Sequence, residues 1–104
     1  MSREYNFYVY LLTNVARMVL YIGVTSHLEN RLHEHRTGKW EGFTKRCHVN
    51  RLVYYEHFRY VLDALDREKQ LKGWKRVKKD ALVMSINPHW RDLSAEWPRY
   101  KDEM

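Results

Sequence analysis

Two apolar runs near the N-terminus constrain the fold more than any other feature of the chain. Residues 6–13 and 19–25 are rich in aromatic and β-branched side chains, which is typical of buried strands. Only a short turn candidate, residues 14–17, lies between them. Strands joined by so short a connection pair with each other antiparallel. The pattern therefore predicts a β-hairpin as the start of a sheet.

The rest of the chain adds one strand and three helices to this hairpin. A capping box beginning at Ser26 opens a helix that stops at Gly38. The pattern over residues 52–58 predicts a strand, and the patterns over residues 61–73 and 75–85 predict helices. The order β-β-α-β-α-α predicts an α+β fold, with a small three-stranded, mostly antiparallel sheet flanked by helices. We expect a single domain over residues 1–104, with its core at about residues 7–90 and a C-terminal tail at residues 91–104.

The composition favours a compact, basic protein with a phosphate-rich partner. The chain has 104 residues, a hydrophobic fraction of 44% and a formal net charge of +6. Such a balance favours nucleic acid. Cys47 is the single cysteine, which leaves no internal disulfide partner and excludes a cysteine-rich zinc site. No apolar run is long enough to cross a bilayer and no secretory leader is evident, so we expect no membrane association and a cytoplasmic location.

One acidic side chain falls on the apolar side of a predicted helix. Glu68 shares a stripe at helical spacing with Val61, Ala64, Leu65 and Leu71. An inward carboxylate is unfavourable unless it is paired or binds a metal. Two interpretations follow from spacing alone: a metal site that faces phosphate, or an acid paired internally with an arginine or a tyrosine hydroxyl. The last helix carries its own apolar side, formed by Val77, Ala81, Leu82 and Met84.

Other polar residues are spaced so that they can meet near Glu68. The hairpin places Tyr10 and Tyr21 on adjacent strands. Arg31 and His35 are four residues apart and share one face of the first helix. Taken singly, each has a structural interpretation, because strand tyrosines mostly pack in cores and helical Arg/His pairs mostly face solvent.

Taken together, these residues resemble the GIY-YIG nuclease superfamily. Tyr8-Val9-Tyr10 and Tyr21-Ile22-Gly23 are similar to its paired tripeptides. Further along, the chain matches the family's order with Arg31, His35, Arg67-Glu68-Lys69-Gln70 and Asn87-Pro88. The likeness is nearest to small bacterial single-domain members and extends from about Phe7 to Trp90. Two positions depart from the pattern, because Tyr8 replaces the first glycine and Val24 stands where some members carry a lysine.

The resemblance implies an endonuclease that hydrolyses DNA phosphodiester bonds, either structure-selectively or non-specifically. It implies that Glu68 binds Mg²⁺ or Mn²⁺ and that Arg31 contacts the phosphate. Tyr10, assisted by His35, resembles the family's general base, and which of the two takes the proton stays open. Tyr21 would orient the water or contact the phosphate. Gly23 and Asn87 are expected to support the site.

Basic residues on both sides of the site are expected to bind the DNA backbone. They are Lys45, Arg46, Lys72, Lys75, Arg76, Lys78 and Lys79. The alternative function is a nucleic-acid-binding module that keeps the fold but cuts little or not at all. A weaker alternative is a protein-interaction role for the tail that holds Trp90 and Trp97. A lone active site cuts one strand per encounter, so breaking both strands would need a homodimer or two encounters.

Overall fold

The structure, a computed structural model, describes residues 6–37, 49–95 and 97. Within them the chain forms three strands and three helices in the predicted order, β-β-α-β-α-α, and the predicted α+β fold is confirmed. None of the helices in these residues is long and apolar enough to cross a membrane. The elements are β1 (Phe7–Thr13), β2 (Leu20–Thr25), α1 (Leu28–Thr37), β3 (Arg51–Phe58), α2 (Val61–Lys72) and α3 (Arg76–Ile86).

β1 is the central strand of the sheet. The strand order is β2-β1-β3, and β1 pairs antiparallel with both neighbours. Tyr10 lies opposite Gly23 on β2 and opposite Tyr55 on β3. The β1–β2 turn is closed by a 3.0 Å hydrogen bond from the Arg17 amide to the Asn14 carbonyl, and Arg17 takes a left-handed φ of 59°. Within the described residues, β2 is therefore one edge of the sheet.

Alternation along β1 divides the core into two layers. Side chains of a strand point to opposite faces in turn, so Val9 and Leu11 enter one layer and Tyr10 and Leu12 the other. Tyr10 thus lies on the α1 face, whereas α2 covers the opposite face. A site that joins Tyr10 with a residue of α2 must form at an edge of the sheet. The layers pack against α2 and α3 through Ala64, Leu71 and Val83, and against α1 through Leu28 and Leu32.

A β-bulge in β3 explains the position of Asn87. The pairing of β1 with β3 shifts by one residue between Leu11 and Leu12, which leaves Val53 as the extra residue. Asn87, the C-cap of α3, donates from Nδ2 to the Val53 carbonyl (3.0 Å) and to the Arg91 carbonyl (2.9 Å). Its Oδ1 accepts from the Arg91 amide at 3.0 Å. The side chain therefore satisfies backbone groups at the bulge and fixes the chain direction after α3.

The predicted apolar stripe of α2 is partly wrong. Val61 and Leu65 are 43% and 40% exposed, and the buried residues of the helix are Ala64 and Leu71. One row of side chains at spacing i, i+4 and i+7 therefore makes the contact with the sheet, and Glu68 lies in this row. The spacing rule placed Glu68 on the correct side but made the apolar face too wide.

Two smaller predictions about the helices are also wrong. Val77 and Met84 of α3 are exposed, and Val83 is buried instead, because the side of α3 that meets the sheet is rotated from the predicted one. At the start of α1, the His27 carbonyl accepts the first helical hydrogen bond, from the Arg31 amide at 3.0 Å. Ser26 is therefore not the N-cap, and its hydroxyl lies 2.9 Å from Nδ1 of His27.

We expect Asn87→Ala to lower the free energy of unfolding by about 2–3 kcal/mol, because it removes three side-chain hydrogen bonds and leaves the Val53 carbonyl without its donor. Urea unfolding of the wild type and the variant measures the change. Asn50→Ala, at an exposed position next to β3, is the matched control and should stay within about 0.5 kcal/mol of the wild type. Equal stability of Asn87→Ala and Asn50→Ala would contradict this structural role.

Candidate active site

An open cleft of about 480 Å³ lies along the edge strand β2. Both faces of the sheet contribute to its walls, since side chains from either side can reach the edge. Arg31 comes from α1, and Glu68 comes from α2. The structure thus brings four of the five predicted catalytic residues to one cleft, and it places His35 against Tyr10. The full lining is Tyr10, Leu20, Tyr21, Ile22, Gly23, Val24, Arg31, Glu68, Lys72 and Lys79.

Gly23 makes room for the Tyr10 side chain. A Cβ atom at Gly23 would overlap the hydroxyl and ring carbons of Tyr10. Because glycine has no Cβ, the phenol of the central strand lies across the edge strand. Gly23 is needed here for close approach, which gives a physical reason for the third position of the Tyr21-Ile22-Gly23 motif.

Tyr10 and Tyr21 of the cleft form an aromatic cluster with His35, which lies behind them. The Tyr10 hydroxyl lies 3.3 Å from Nε2 of His35, and the His35 ring centroid lies 5.1 Å from that of Tyr21. Burial, with a further contribution from Arg31, lowers the pKa of His35 to about 4. At neutral pH the imidazole is therefore uncharged, and its Nε2 is within hydrogen-bond distance of the phenol.

The phenol of Tyr10 is strongly held in its protonated form. Burial, reinforced by the neighbouring Tyr21, raises the pKa of Tyr10 well above its usual value. Arg31 acts in the opposite direction, through its charge and a hydrogen bond, and so favours the phenolate. The same guanidinium contacts the Glu34 carboxylate, with Nε 3.4 Å from Oε1. Arg31 is thus a half-buried cation that favours the phenolate form of the buried Tyr10.

Glu68 lies in the α2 wall of the cleft. Its side chain is 19% exposed, and Oε2 is 3.1 Å from Nζ of Lys72, one turn further along α2. Lys72 is 56% exposed, so the pair lies at the rim of the cleft. Glu68 faces inward as the sequence predicted, but it lines a cleft that solvent reaches and is not enclosed in the core.

The donor chemistry of the cleft fits one hard divalent cation. A carboxylate oxygen that faces an open, polar cleft is a suitable ligand for Mg²⁺ or Mn²⁺, which keep several waters when bound to proteins. Among the described residues no group of three or more His, Cys, Asp and Glu side chains gathers as a metal cage. A metal at Glu68 would therefore complete its shell with water and substrate oxygens.

Family comparison agrees with this arrangement of residues. The model of the GIY-YIG catalytic domain matches residues 6–80, which include every element from β1 into α3. The chain belongs to the GIY-YIG nuclease family. The matched segment contains Tyr10, Tyr21, Arg31, His35 and Glu68, and it ends before Asn87.

Relatives of similar size cover most of this GIY-YIG domain. The chain is 35% identical to the UPF0213 protein of Bacillus pumilus over 77% of its length and 81% of the relative. It is 37% identical to a UPF0213 protein of Natronomonas pharaonis, over 73% of this chain and 88% of the relative. The solution NMR structure of a UPF0213 protein from Bacillus halodurans matches with a TM-score of 0.55 and 27% identity, covering 88% of this chain and 97% of that chain.

An acid paired internally with an arginine and a tyrosine hydroxyl, one of the two interpretations of Glu68, is present in this GIY-YIG domain, but the acid is Glu56. Glu56 of β3 accepts two hydrogen bonds from Arg67, from Nε at 3.0 Å and from Nη2 at 2.9 Å, and one from the Tyr54 hydroxyl. Burial alone would raise the pKa of Glu56, but these hydrogen bonds outweigh it and lower the pKa. The bidentate pair fixes the residue directly before Glu68, and so helps to set the rotation of α2.

Sequence reasoning missed Glu56 and Arg67, although a signal was present. Tyr54, Glu56 and Phe58 alternate along β3, and their side chains belong to the α2 face. A charged residue at a core-facing strand position requires a partner. An arginine next to the predicted metal ligand was available for that role.

The basic residues predicted to bind DNA differ in where the structure places them. Lys72 and Lys79 line the cleft. Arg76 has a structural role, since its guanidinium binds Asp80 (2.7 Å) and the Arg17 carbonyl (2.7 Å) at the β1–β2 turn. The other predicted residues are Lys78, whose Nζ lies 4.2 Å from the Trp74 ring centroid, the exposed Lys75 at the N-cap of α3, and Lys45 and Arg46, which lie outside the described residues.

We expect the buried, neutral state of His35 to give the protein a specific pH dependence. The pKa is about 4 in the folded state and ordinarily 6.5, so between these values the unfolded chain binds the proton more readily. The contribution of neutral His35 to the free energy of unfolding is therefore fully present above about pH 6.5, and it is lost as the pH falls towards 4. The free energy of unfolding should therefore fall more steeply over this window in the wild type than in His35→Gln.

Chemical unfolding at several pH values measures both slopes. His27→Gln, which removes an exposed histidine, is the control and should keep the wild-type slope. Equal slopes for the wild type and His35→Gln would contradict the neutral, buried assignment.

Proposed function

We propose that this protein is a divalent-metal-dependent endonuclease that hydrolyses DNA phosphodiester bonds. The observation that supports this most directly is the single cleft that gathers a carboxylate, a guanidinium and two phenols, with a neutral histidine behind them. In hydrolysis a water oxygen bonds to phosphorus, the bond from phosphorus to the 3′-oxygen breaks, and the water loses a proton. The cleft contains groups suited to each of these requirements.

Glu68 is the proposed metal ligand. When bound, Mg²⁺ or Mn²⁺ would withdraw charge from the phosphate and stabilise the leaving oxygen. For this role Glu68 must release Lys72, and an exposed ion pair of this kind contributes little free energy. Lys72 is then available to contact a phosphate at the rim.

Arg31 is the proposed phosphate ligand. Its planar guanidinium can donate two hydrogen bonds to the non-bridging oxygens of one phosphate. The pair with Glu34 spans 3.4 Å at a half-buried site, and it holds the side chain near Tyr10 before the substrate binds. Exchange of Glu34 for a phosphate would keep Arg31 paired with an anion throughout.

Tyr10 and His35 provide the proposed path for the proton. In the resting state Tyr10 Oη lies 3.3 Å from Nε2 of His35, and the imidazole is neutral. Because burial makes the phenol a weaker acid and the imidazole a weaker base, proton transfer along this path requires Arg31 to stabilise the phenolate. Tyr10 is fully buried, whereas Tyr21 is only half-buried. Tyr21 is therefore the phenol with more access to a water in the cleft, and Tyr10 with His35 lies behind it. The roles of Tyr10 and His35 as base remain alternatives within this proposal.

A second candidate function is a DNA-binding module that cuts little. The observation in its favour is Val24, which lines the cleft at the position where some family members carry a lysine. One phosphate-facing cation is therefore missing from this wall. The two candidates differ in a direct assay, because only the nuclease converts DNA to fragments when Mg²⁺ or Mn²⁺ is added.

We expect Glu68→Gln to reduce metal-dependent cleavage by about 100-fold or more, because an amide binds a divalent cation far more weakly than a carboxylate. The assay follows fragments from labelled single-stranded, nicked, branched and duplex DNA with Mg²⁺, Mn²⁺ or EDTA. Asp66→Asn, which neutralises an exposed carboxylate on the same helix, should cut at the wild-type rate.

Three results would overturn parts of this assignment. Cleavage by Glu68→Gln at the wild-type rate would show that Glu68 is not the metal ligand. A large fall in the melting temperature of Glu68→Gln alone would make Glu68 a structural residue. Binding without cleavage by the wild type, with either ion and every substrate, would favour the DNA-binding module.

We expect Lys79→Ala to weaken non-specific DNA binding and to reduce the slope of log affinity against log salt by about one, because one phosphate contact is lost. Affinity for random-sequence DNA is measured across a salt series in EDTA. Lys69→Ala, which removes an exposed lysine of α2 outside the cleft lining, is the control. The same slope for Lys79→Ala and the wild type would place the DNA path elsewhere.

A further inference from the structure

A second cleft lies beside the first, on the α1 face of the sheet. It measures about 330 Å³, and three aromatic side chains surround it. The rings of Tyr8 and Tyr55 meet edge to face with centroids 6.1 Å apart, and those of Tyr55 and Trp97 do so at 6.0 Å. The hydrolytic roles proposed above make no use of these rings. The full lining is Tyr8, His27, Leu28, Glu29, Asn30, Tyr55 and Trp97.

The aromatic cleft and the active-site cleft share two elements. Tyr8 and Tyr10 are two residues apart on β1 and face the same side, so their Cα atoms are separated by about 6.6 Å. On α1, Leu28 lines the aromatic cleft and Arg31 the active-site cleft, which is a rise of about 4.5 Å. Tyr55 lies directly opposite Tyr10 on β3. A group bound among the aromatic rings is therefore about one nucleotide from a phosphate held by Arg31.

The charges of the two clefts suit different parts of a nucleotide. Lysine and arginine line the active-site cleft, where a phosphate would bind. Among the described residues that line the aromatic cleft there is no lysine or arginine, and Glu29 disfavours a phosphate. A nucleobase carries no charge and stacks on aromatic side chains. The amino groups of a base can donate hydrogen bonds to the Glu29 carboxylate or to the side-chain amide oxygen of Asn30.

We propose that the cleft of Tyr8, Tyr55 and Trp97 binds one unpaired nucleobase of the substrate by stacking, while the adjoining phosphate lies in the active-site cleft. This inference rests on the proposed function. A base inside a duplex must first be unstacked and unpaired, so a single strand, a flap or a bulge offers a base to these rings at a lower cost in free energy. The aromatic cleft thereby selects DNA that offers an unpaired nucleotide next to the bond that is cut.

Binding of single-stranded DNA that contains one 2-aminopurine tests this inference. In EDTA, where no metal supports cleavage, stacking in the cleft should quench the 2-aminopurine fluorescence of the wild-type complex. Tyr55→Ala should remove most of the quenching and weaken binding by roughly five- to 100-fold. Tyr55→Phe keeps the ring and should behave as the wild type. Tyr60→Ala removes a 64% exposed tyrosine outside the cleft and is the matched control.

Tyr55 is 37% exposed, so its truncation is compatible with folding, and a melting curve checks this. Tyr55→Leu, which keeps apolar volume without an aromatic face, gives the same test if the alanine variant does not fold. An abasic nucleotide at the quenched position should weaken binding to the wild type and leave binding to Tyr55→Leu unchanged.

The outcomes separate this inference from the proposed function. Wild-type cleavage together with unchanged quenching in both Tyr55→Ala and Tyr55→Leu overturns the stacking site and leaves the nuclease intact. Loss of quenching in the variants, in a protein that cleaves nothing, supports the stacking site and overturns the nuclease. If Tyr55→Ala dissociates a dimer in sedimentation and leaves quenching unchanged, the rings are a contact between two copies and the inference is wrong.

Discussion

The close packing of the Tyr10 phenol against Gly23 is the contact on which the cleft along β2 depends. Pairing on both sides holds β1 in place, and the register of the hairpin sets Tyr10 opposite Gly23. Because residue 23 has no Cβ, the phenol crosses the edge strand and meets His35 behind the cleft. A shift of one residue in the hairpin would send Tyr10 to the opposite face. The register of two short strands therefore determines whether the cluster exists.

Residues from opposite faces of the sheet come together at its edge strand, β2. Arg31 lies on α1 and Glu68 on α2, and these helices cover different faces. They meet across β2 because the sheet ends there. On the α2 side, the bidentate contact between Arg67 and Glu56 restrains the turn of helix that holds Glu68. Arg67, which forms a structural ion pair, and Glu68, the proposed metal ligand, are thus neighbours in sequence whose side chains have different partners.

Glu68 and Arg31, the proposed ligands of metal and phosphate, each have a charged partner in the resting structure. Glu68 is paired with the exposed Lys72, and Arg31 is paired with Glu34. The Glu68–Lys72 pair lies at the rim, and ion pairs that are open to solvent contribute little stability. Under the proposed function, a metal ion would replace Lys72 at Glu68 and a phosphate would replace Glu34 at Arg31. The buried groups behave differently, because burial keeps His35 uncharged and Tyr10 protonated. The cleft therefore combines paired charges at its rim with neutral, buried polar groups.

The sequence by itself determined the order of the elements, because periods of two and of 3.6 residues are local properties of the chain. Four residues of the cleft, Tyr10, Tyr21, Arg31 and Glu68, together with His35 next to Tyr10, could also be named from the sequence, since their spacing resembles a known family pattern. Only the tertiary structure decided how wide the buried face of α2 is, because exposure of Val61 and Leu65 depends on how closely the helix approaches the sheet.

Long-range packing also decided what each acid does. A sequence shows that an inward carboxylate needs a partner, but it does not show which cation reaches it. In the fold, Arg67 reaches Glu56 across the sheet, which leaves Glu68 at the rim of the cleft. The tertiary structure likewise made Asn87 a partner of the β3 bulge, because a bulge arises from the register between two strands and not from either strand alone.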